Sequence, residues 1–277
     1  MLEPSRTYLS VRTQCELLGI ARSGLYYAQA VASEQEVLVK EVLVEEHLKA
    51  PMYGARKLAA VAHRKGYPAG RKLVGRLMNE LGIKAISPCR RVSLSGGGKN
   101  RRRYPYLLRG VTITRPNQAW ATDITYLRLE SGFVYLVALI DLQSRYIVGW
   151  TVSTSLDAVF CIETLRQALR QHGTPEIVNM DQGTQFTSDD YLSVLEGAGV
   201  RISMDGKGRV FDNILIERFW RTVKYEEVYL KRYESVSEAR EAIGEYIRFY
   251  NEQRVHQALA YQTPDEVYHA YEAEAAA

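Results

Sequence analysis

Apolar and polar positions change their rhythm along the chain. Through about residue 83 the apolar side chains recur every three to four positions, the period of a helix with one buried face. Thr13 to Tyr27 reads as a short apolar helix, a break at Gly19 and a second helix opening near Ser23, the outline of a helix-turn-helix over 11–27. A stretch rich in Val, Leu and Glu predicts a helix over 33–49, and a second helical pair is expected near 54–65 and 70–81, divided by Gly66-Tyr67-Pro68. In the last of these Leu73, Leu77, Met78 and Leu81 form the apolar stripe. Arg71, Lys72 and Arg76 lie on the other side, and Gly82 stands where a C-cap belongs.

After Pro116 the period becomes that of strands. Ala119 to Leu129, Phe133 to Asp141 and Tyr146 to Val152 are three β-rich runs, separated by Glu130-Ser131-Gly132 and Gln143-Ser144-Arg145, and predict an antiparallel meander. A helix near 156–171, a strand from Glu176 to Met180, a helix near 188–198, a strand from Val200 to Met204 and two long helices near 212–228 and 235–252 follow. That succession describes an α/β domain with a mixed sheet, whose strand order periodicity leaves open.

Composition narrows the class. With 277 residues, 46% apolar and 25% charged, the chain has material for two cores and is no disordered tail. No apolar run reaches the roughly 18 residues of a membrane span, and MLEPSRTYLS lacks the apolar centre of a secretion signal, so a cytoplasmic protein without a membrane partner is expected. Cys15, Cys89 and Cys161 are too scattered for a disulfide frame, and the histidines and cysteines have no paired spacing for zinc.

Charge divides the chain. The net +4 hides 20 Lys and Arg against 8 Asp and Glu in residues 1–110, and 16 against 24 in residues 111–277. Such asymmetry points to a nucleic-acid-binding front half. Between Lys84 and Arg109 stand eight basic residues and no acidic one, around Ser95-Gly96-Gly97-Gly98. This basic linker, taken as 84–115, reads either as a solvated tether or as a strap that lies along phosphates, with Arg101, Arg102 and Arg103 as its candidate contacts.

Three carboxylates in the acidic half sit where structure alone has little use for them. Asp123 interrupts a strand, Asp181 ends one before Gly183, and Glu217 lies in a helix whose apolar stripe is Ile216, Phe219, Trp220 and Val223. Each has an ordinary explanation: a loop acceptor, a turn residue, an i,i+4 pair with Arg221. Together they supply oxygen ligands for hard divalent cations, and two such ions serve phosphoryl transfer. Asp141, at a strand end, reads as structural, His256 as a packing or capping residue, and Trp120, Trp150 and Trp220 as core aromatics.

The spacing carries a resemblance. Asp181 and Glu217 have 35 residues between them, Asp123 lies 57 residues before Asp181 by the same count, and Lys224 follows Glu217 by seven. This resembles the Asp-Asp-35-Glu signature of the retroviral-integrase superfamily. The words around Asp123, Asp181-Gln182-Gly183-Thr184-Gln185-Phe186, and Asp205-Gly206-Lys207-Gly208-Arg209 before Asp212-Asn213 are similar to bacterial insertion-sequence transposases, above all the second-frame protein of the insertion-sequence-three family. Tyr250-Asn251-Glu252-Gln253-Arg254-Val255-His256-Gln257-Ala258-Leu259 with Tyr261-Gln262-Thr263-Pro264 matches too, and the likeness runs over roughly 50–268.

The resemblance implies an RNase H-like mixed five-stranded sheet with flanking helices over 116–277, preceded by a small all-α, helix-turn-helix-like DNA-binding region over 1–83. It implies two Mg²⁺ or Mn²⁺ ions on Asp123, Asp181 and Glu217, and DNA end cleavage followed by strand transfer. Lys224 and Arg221, beyond Glu217, are then candidates for DNA phosphates, and Lys207 and Arg209 for a mobile loop over substrate. Expected partners are the element's terminal inverted repeats, target DNA, further copies of the chain on DNA, and an upstream first-frame protein. The alternatives are a catalytically silent DNA-binding regulator and an RNase H-type nuclease that cuts without joining.

Overall fold

The computed structural model describes residues 10–19, 21, 33–86, 104–205 and 213–275. Helix α1 (Val11–Leu18) opens on Ser10, whose hydroxyl accepts from the Thr13 amide, and closes on Gly19 in the left-handed region at φ 63°. The second helix of that expected pair lies outside the described residues. Helices α2 (Glu34–Lys49), α3 (Ala55–Arg64) and α4 (Arg71–Glu80) fall within a residue or two of their predicted places. They bury Val39, Leu43, Leu58, Ala62, Val74 and Leu77 against one another.

Strands β1 (Ala119–Arg128), β2 (Phe133–Asp141) and β3 (Ile147–Ser153) form the meander. Then come α5 (Val159–His172), β4 (Ile177–Met180), α6 (Asp189–Gly197), β5 (Arg201–Met204) and α7 (Ile214–Val223). A π-helical turn (Lys224–Val228), α8 (Val236–Glu252) and α9 (Pro264–Ala275) complete the chain. The sheet order is β3-β2-β1-β4-β5; β1, β4 and β5 run parallel, and β2 is antiparallel to both of its neighbours. That is the RNase H-like arrangement.

Alternation along the central strands splits the core into two layers. Ala121, Leu136, Ala138 and Ile140 pack against Ile216, Phe219, Ile243 and Ile247 of α7 and α8. Trp120, Val137, Leu139, Val178 and Met180 face Leu165, Tyr191 and Leu195 of α5 and α6. Asp123 and Asp181 have the parity of Ala121 and Ile177, so both belong to the α7 face.

Three features depart from the sequence expectation. Helix α5 begins at Val159 rather than near 156 because Asp157 Oδ1 accepts from the Val159 amide and ends the preceding turn. The helix expected to run to 228 widens to a π turn at Lys224. Helix α9 has no counterpart in the sequence reading.

The helical module is anchored to the tail. Val255 lies in the core of α2–α4, and its amide donates to the Tyr53 hydroxyl at 3.0 Å. Arg64 pairs with Glu266 and donates to the Tyr261 carbonyl. Asn251 holds the same tail to the sheet, accepting from the Ile147 amide at 2.9 Å and donating to its carbonyl at 3.1 Å. Tyr53→Phe strands the buried Val255 amide and is expected to cost about 1–3 kcal/mol, read as a lower denaturant midpoint.

Candidate active site

The parallel register of β1 and β4 ends at Thr122 opposite Met180. The next residue on each strand is a carboxylate: Asp123 and Asp181 stand side by side, separated by one strand spacing of ~4.8 Å. Burial raises the pKa of both. For Asp123 the charge of Asp181 adds to burial, against hydrogen bonds from Trp220 and the Ile124 amide, and the value reaches about 7. Asp181 is raised by burial and opposed by the Gly183 amide. The carboxyl ends of parallel strands are where ligands meet an open α/β sheet.

Helix α7 is tied to this edge by a polar contact from its buried face. Trp220 donates its indole N–H to Asp123 Oδ2 at 2.8 Å, although the rest of the ring is core. Glu217, one turn before Trp220, is thereby carried to the same edge and is exposed, its pKa raised by partial burial. Lys224 follows at the start of the π turn, its Nζ 4.9 Å from the centroid of the Tyr126 ring. Burial lowers its pKa, and attraction to Asp123 opposes that shift. Among the described residues no three His, Cys, Asp or Glu side chains gather closely enough to hold one ion. The two strand carboxylates are thus set in place, with Glu217 beside them on an exposed side chain.

The loop after β4 shapes Asp181. Its Oδ1 accepts from the Gly183 amide at 2.8 Å, and a Cβ on Gly183 would sit 2.8 Å from that same oxygen. Only glycine leaves the carboxylate there undisturbed. One layer below, buried Asn179 accepts from the Ser203 hydroxyl at 2.7 Å and donates to Asp205 at 2.7 Å, and Gln182 donates to the Asp205 carbonyl at 3.0 Å. These bonds tie β4 and β5 to the loop that carries Asp181.

The other candidates separate. Arg221 is exposed on α7 beyond Glu217. Arg71 and Lys72 are exposed on α4, while Arg76 on the same helix is engaged by Glu36 and by Glu80 at 2.8 Å. Lys207, Arg209, Arg101, Arg102 and Arg103 lie outside the described residues. Asp141 is structural as expected: fully buried, it accepts from the amides of Asn117, Gln143 and Ser144 and from the Ser144 hydroxyl. His256 is buried and takes a contact from Arg254 at 3.2 Å, a packing role. Trp220 departs from a pure core role, and nothing in its spacing distinguishes it from Trp120.

Residues 113–210 and 198–264 match the family described as Integrase core domain, and residues 33–91 the one described as HTH-like domain. The transposase for insertion sequence element IS904 of Lactococcus lactis is 34% identical, over 83% of this chain and 93% of that one. Transposase InsF for insertion sequence IS3A of Escherichia coli is 30% identical, over 96% of each chain. The chain belongs to the insertion-sequence transposase family. It is a DDE transposase, a DNA-cleaving and strand-transferring enzyme of the kind the Asp-Asp-35-Glu spacing implies. Among solved structures, the HTLV-2 integrase catalytic core domain in complex with magnesium is 18% identical, covering 56% of this chain and 98% of that one, with a TM-score of 0.43.

The donor set suits the divalent metal that this superfamily uses. Two carboxylates held together and partly buried, with the single cation Lys224 beside them among the described residues, leave negative charge that a hard cation would neutralise. Because the Asp123 pKa is raised in the folded transposase, the stability attached to that group is full below about pH 4 and is lost as pH rises through about 7. Asp123→Asn is therefore expected to stabilise chelator-treated enzyme at pH 8 by on the order of 2–4 kcal/mol, read as a higher Tm, with the gain vanishing toward pH 4. Added Mg²⁺ should raise the Tm of the parent and leave that of the variant where it was. Gly183→Ala should lower the joining rate roughly 10–100-fold with little change in Tm, because it displaces the Asp181 carboxylate.

Proposed function

We propose that Asp123, Asp181 and Glu217 together hold two Mg²⁺ or Mn²⁺ ions and that the enzyme uses them to expose and transfer the ends of its own insertion sequence. The observation that carries this reading is the side-by-side placement of Asp123 and Asp181 with α7 pinned to Asp123 through Trp220. The exposed Glu217 side chain turns inward to complete the set. When bound, the ions supply activation of the attacking oxygen and stabilisation of the leaving one.

This chain's own residues bind and orient the DNA. Lys224 neutralises a phosphate near the scissile bond, with Arg221 beside it. Past Lys224 runs an open groove of about 1060 Å³ lined by Tyr126, Arg128, Tyr229, Lys231 and Arg232. Its basic groups track a phosphate backbone, and its rings offer stacking faces to bases at a frayed end. Lys207, Arg209, Arg71, Lys72 and the linker residues Arg101, Arg102 and Arg103 are further candidates for DNA phosphates. Arg76 contributes once its pairs with Glu36 and Glu80 exchange for phosphate. The helical region, taken as 1–83, reads the terminal inverted repeats, the basic linker 84–115 follows the backbone, and 116–277 performs the chemistry. Two ends must be synapsed, so at least two copies act together on DNA, with an upstream first-frame protein as fusion or partner, in the cytoplasm at the nucleoid. Among the described residues no helix is long and apolar enough to cross a membrane.

A labelled terminal duplex with Mg²⁺ tests the reading. Joined products from the parent, and a loss of at least about 10³-fold in Asp181→Asn, are expected. Nicking without joining would replace it with a nuclease, and a gel shift without cleavage, even with the first-frame protein added, with a silent regulator.

A further inference from the structure

Around α7 from the catalytic edge lies a second, separate cavity of about 400 Å³. Four parts of the chain meet there: Lys57 comes from α3, Arg145 from the turn between β2 and β3, Arg218 from α7, and Arg254 and His256 from the tail. Four of these are permanent cations or nearly so. Of these four, only Arg254 has an ion-pair partner among the described residues, Glu226, which it grips through two nitrogens at 2.6 and 2.7 Å. Lys57 rests on the Tyr53 ring at 4.7 Å. The crowding is felt by Lys57, Arg145 and His256. Burial first, then Arg254, lowers the Lys57 pKa to about 8. Burial, with Arg218 and Arg254 nearby, lowers that of Arg145, and His256 is held neutral by burial, Arg254, Lys57 and Arg145.

Arg145 adds an independent observation. It occupies the left-handed region at φ 65°, in a turn where glycine or asparagine would sit with less strain. Its amide bonds to the Asp141 carbonyl like that of any turn residue, so the backbone makes no demand for an arginine. A strained position that keeps a half-buried cation pointed toward other cations is better explained by what the cation binds.

We infer that this cavity takes a backbone phosphate of the DNA on which the enzyme acts, gripped jointly by Lys57, Arg145 and Arg218. The inference rests on the transposase reading above. A phosphodiester fits the donors: two planar guanidinium forks and one ammonium around an open volume large enough for a phosphate and its sugar. It also fits the place. Arg218 is the immediate neighbour of Glu217 on α7, about 100° around the helix, so one duplex can lie across both sites. Because Lys57 belongs to the helical module and Arg145 to the sheet, a phosphate seated here would couple repeat recognition to catalytic placement.

Two variants test the assignment, Arg145→Gly and the double variant Arg145→Gly with Arg218→Gln. Arg145→Gly relieves the left-handed strain, so its Tm should equal or exceed that of the parent, which removes misfolding as an explanation. Binding of a terminal duplex is followed by fluorescence anisotropy across a salt series without divalent metal, and the Tm is followed with added inorganic phosphate. For the double variant the slope of log K against log salt should be shallower by about 0.9, because one DNA phosphate is no longer neutralised. An unchanged slope, with phosphate stabilising the parent and not the double variant, would assign the cavity to a free anion and overturn the DNA assignment. An unchanged slope and no phosphate effect would overturn the site altogether. In each of these cases joining by the parent, abolished in Asp181→Asn, leaves the transposase reading standing; absence of joining and of duplex binding by the parent is instead the failure of that reading.

Discussion

Two carboxylates side by side at the end of adjacent parallel strands are the constraint around which the catalytic domain is organised. Parallel pairing of β1 with β4 places Asp123 next to Asp181, and partial burial denies both the water that would screen them. Such an arrangement is unfavourable for folding in the absence of a cation, and the neighbouring structure offsets it only in part. Trp220 and the Ile124 amide donate to Asp123, the Gly183 amide donates to Asp181, and Lys224 stands nearby. The compensation is partial, so the pair keeps negative charge that its neighbours do not neutralise.

The tail solves a different problem, that of holding the helical module at a fixed place relative to the sheet. Glu226 lies in the π turn that begins at Lys224, and Arg254 and the Tyr246 hydroxyl both bond to it. The wider turn brings Glu226 to Arg254, next to Val255, which is buried in the helical module. Lys224, the tail and the module are therefore held by one connected set of bonds. A buried ion pair of this kind is weak evidence of net stability, and its value here is geometric: removing either partner strands a charge. The same tail supplies Arg254 and His256 to the basic cavity, so the docking segment also borders the proposed phosphate site.

Much of the fold was legible because its elements follow the two simple periods. Helices α3 and α4 show clean apolar stripes, α2 opens on the Ser33 cap ahead of its run of Val, Leu and Glu, and β1 to β3 alternate between turn signals, so their limits agree to within a few residues. Helix α9 was missed because its described part carries only a weak stripe, with Tyr268 its one fully buried large side chain. The π turn has no local sequence signal, and the pairing of Glu226 with Arg254 that accompanies it spans 28 residues. The three carboxylates stood out through residue type and spacing. Trp220, Gly183 and Asn179, which position them, did not, because an indole N–H, a missing Cβ and a buried amide acquire their roles only from neighbours distant in the chain.

The sequence by itself determined the order of elements, the division into a basic helical front and an acidic α/β domain, and the identity of the three carboxylates, since these depend on local periodicity, composition and spacing. Tertiary structure decided which carboxylates face each other, that Glu217 stands exposed beside the other two, and that Arg76 is already paired with Glu36 and Glu80. It also decided that Lys57, Arg145 and Arg218, scattered over more than 160 positions, line one cavity. Strand register, burial and charge proximity arise from pairings between remote segments, and no local pattern in the chain encodes them.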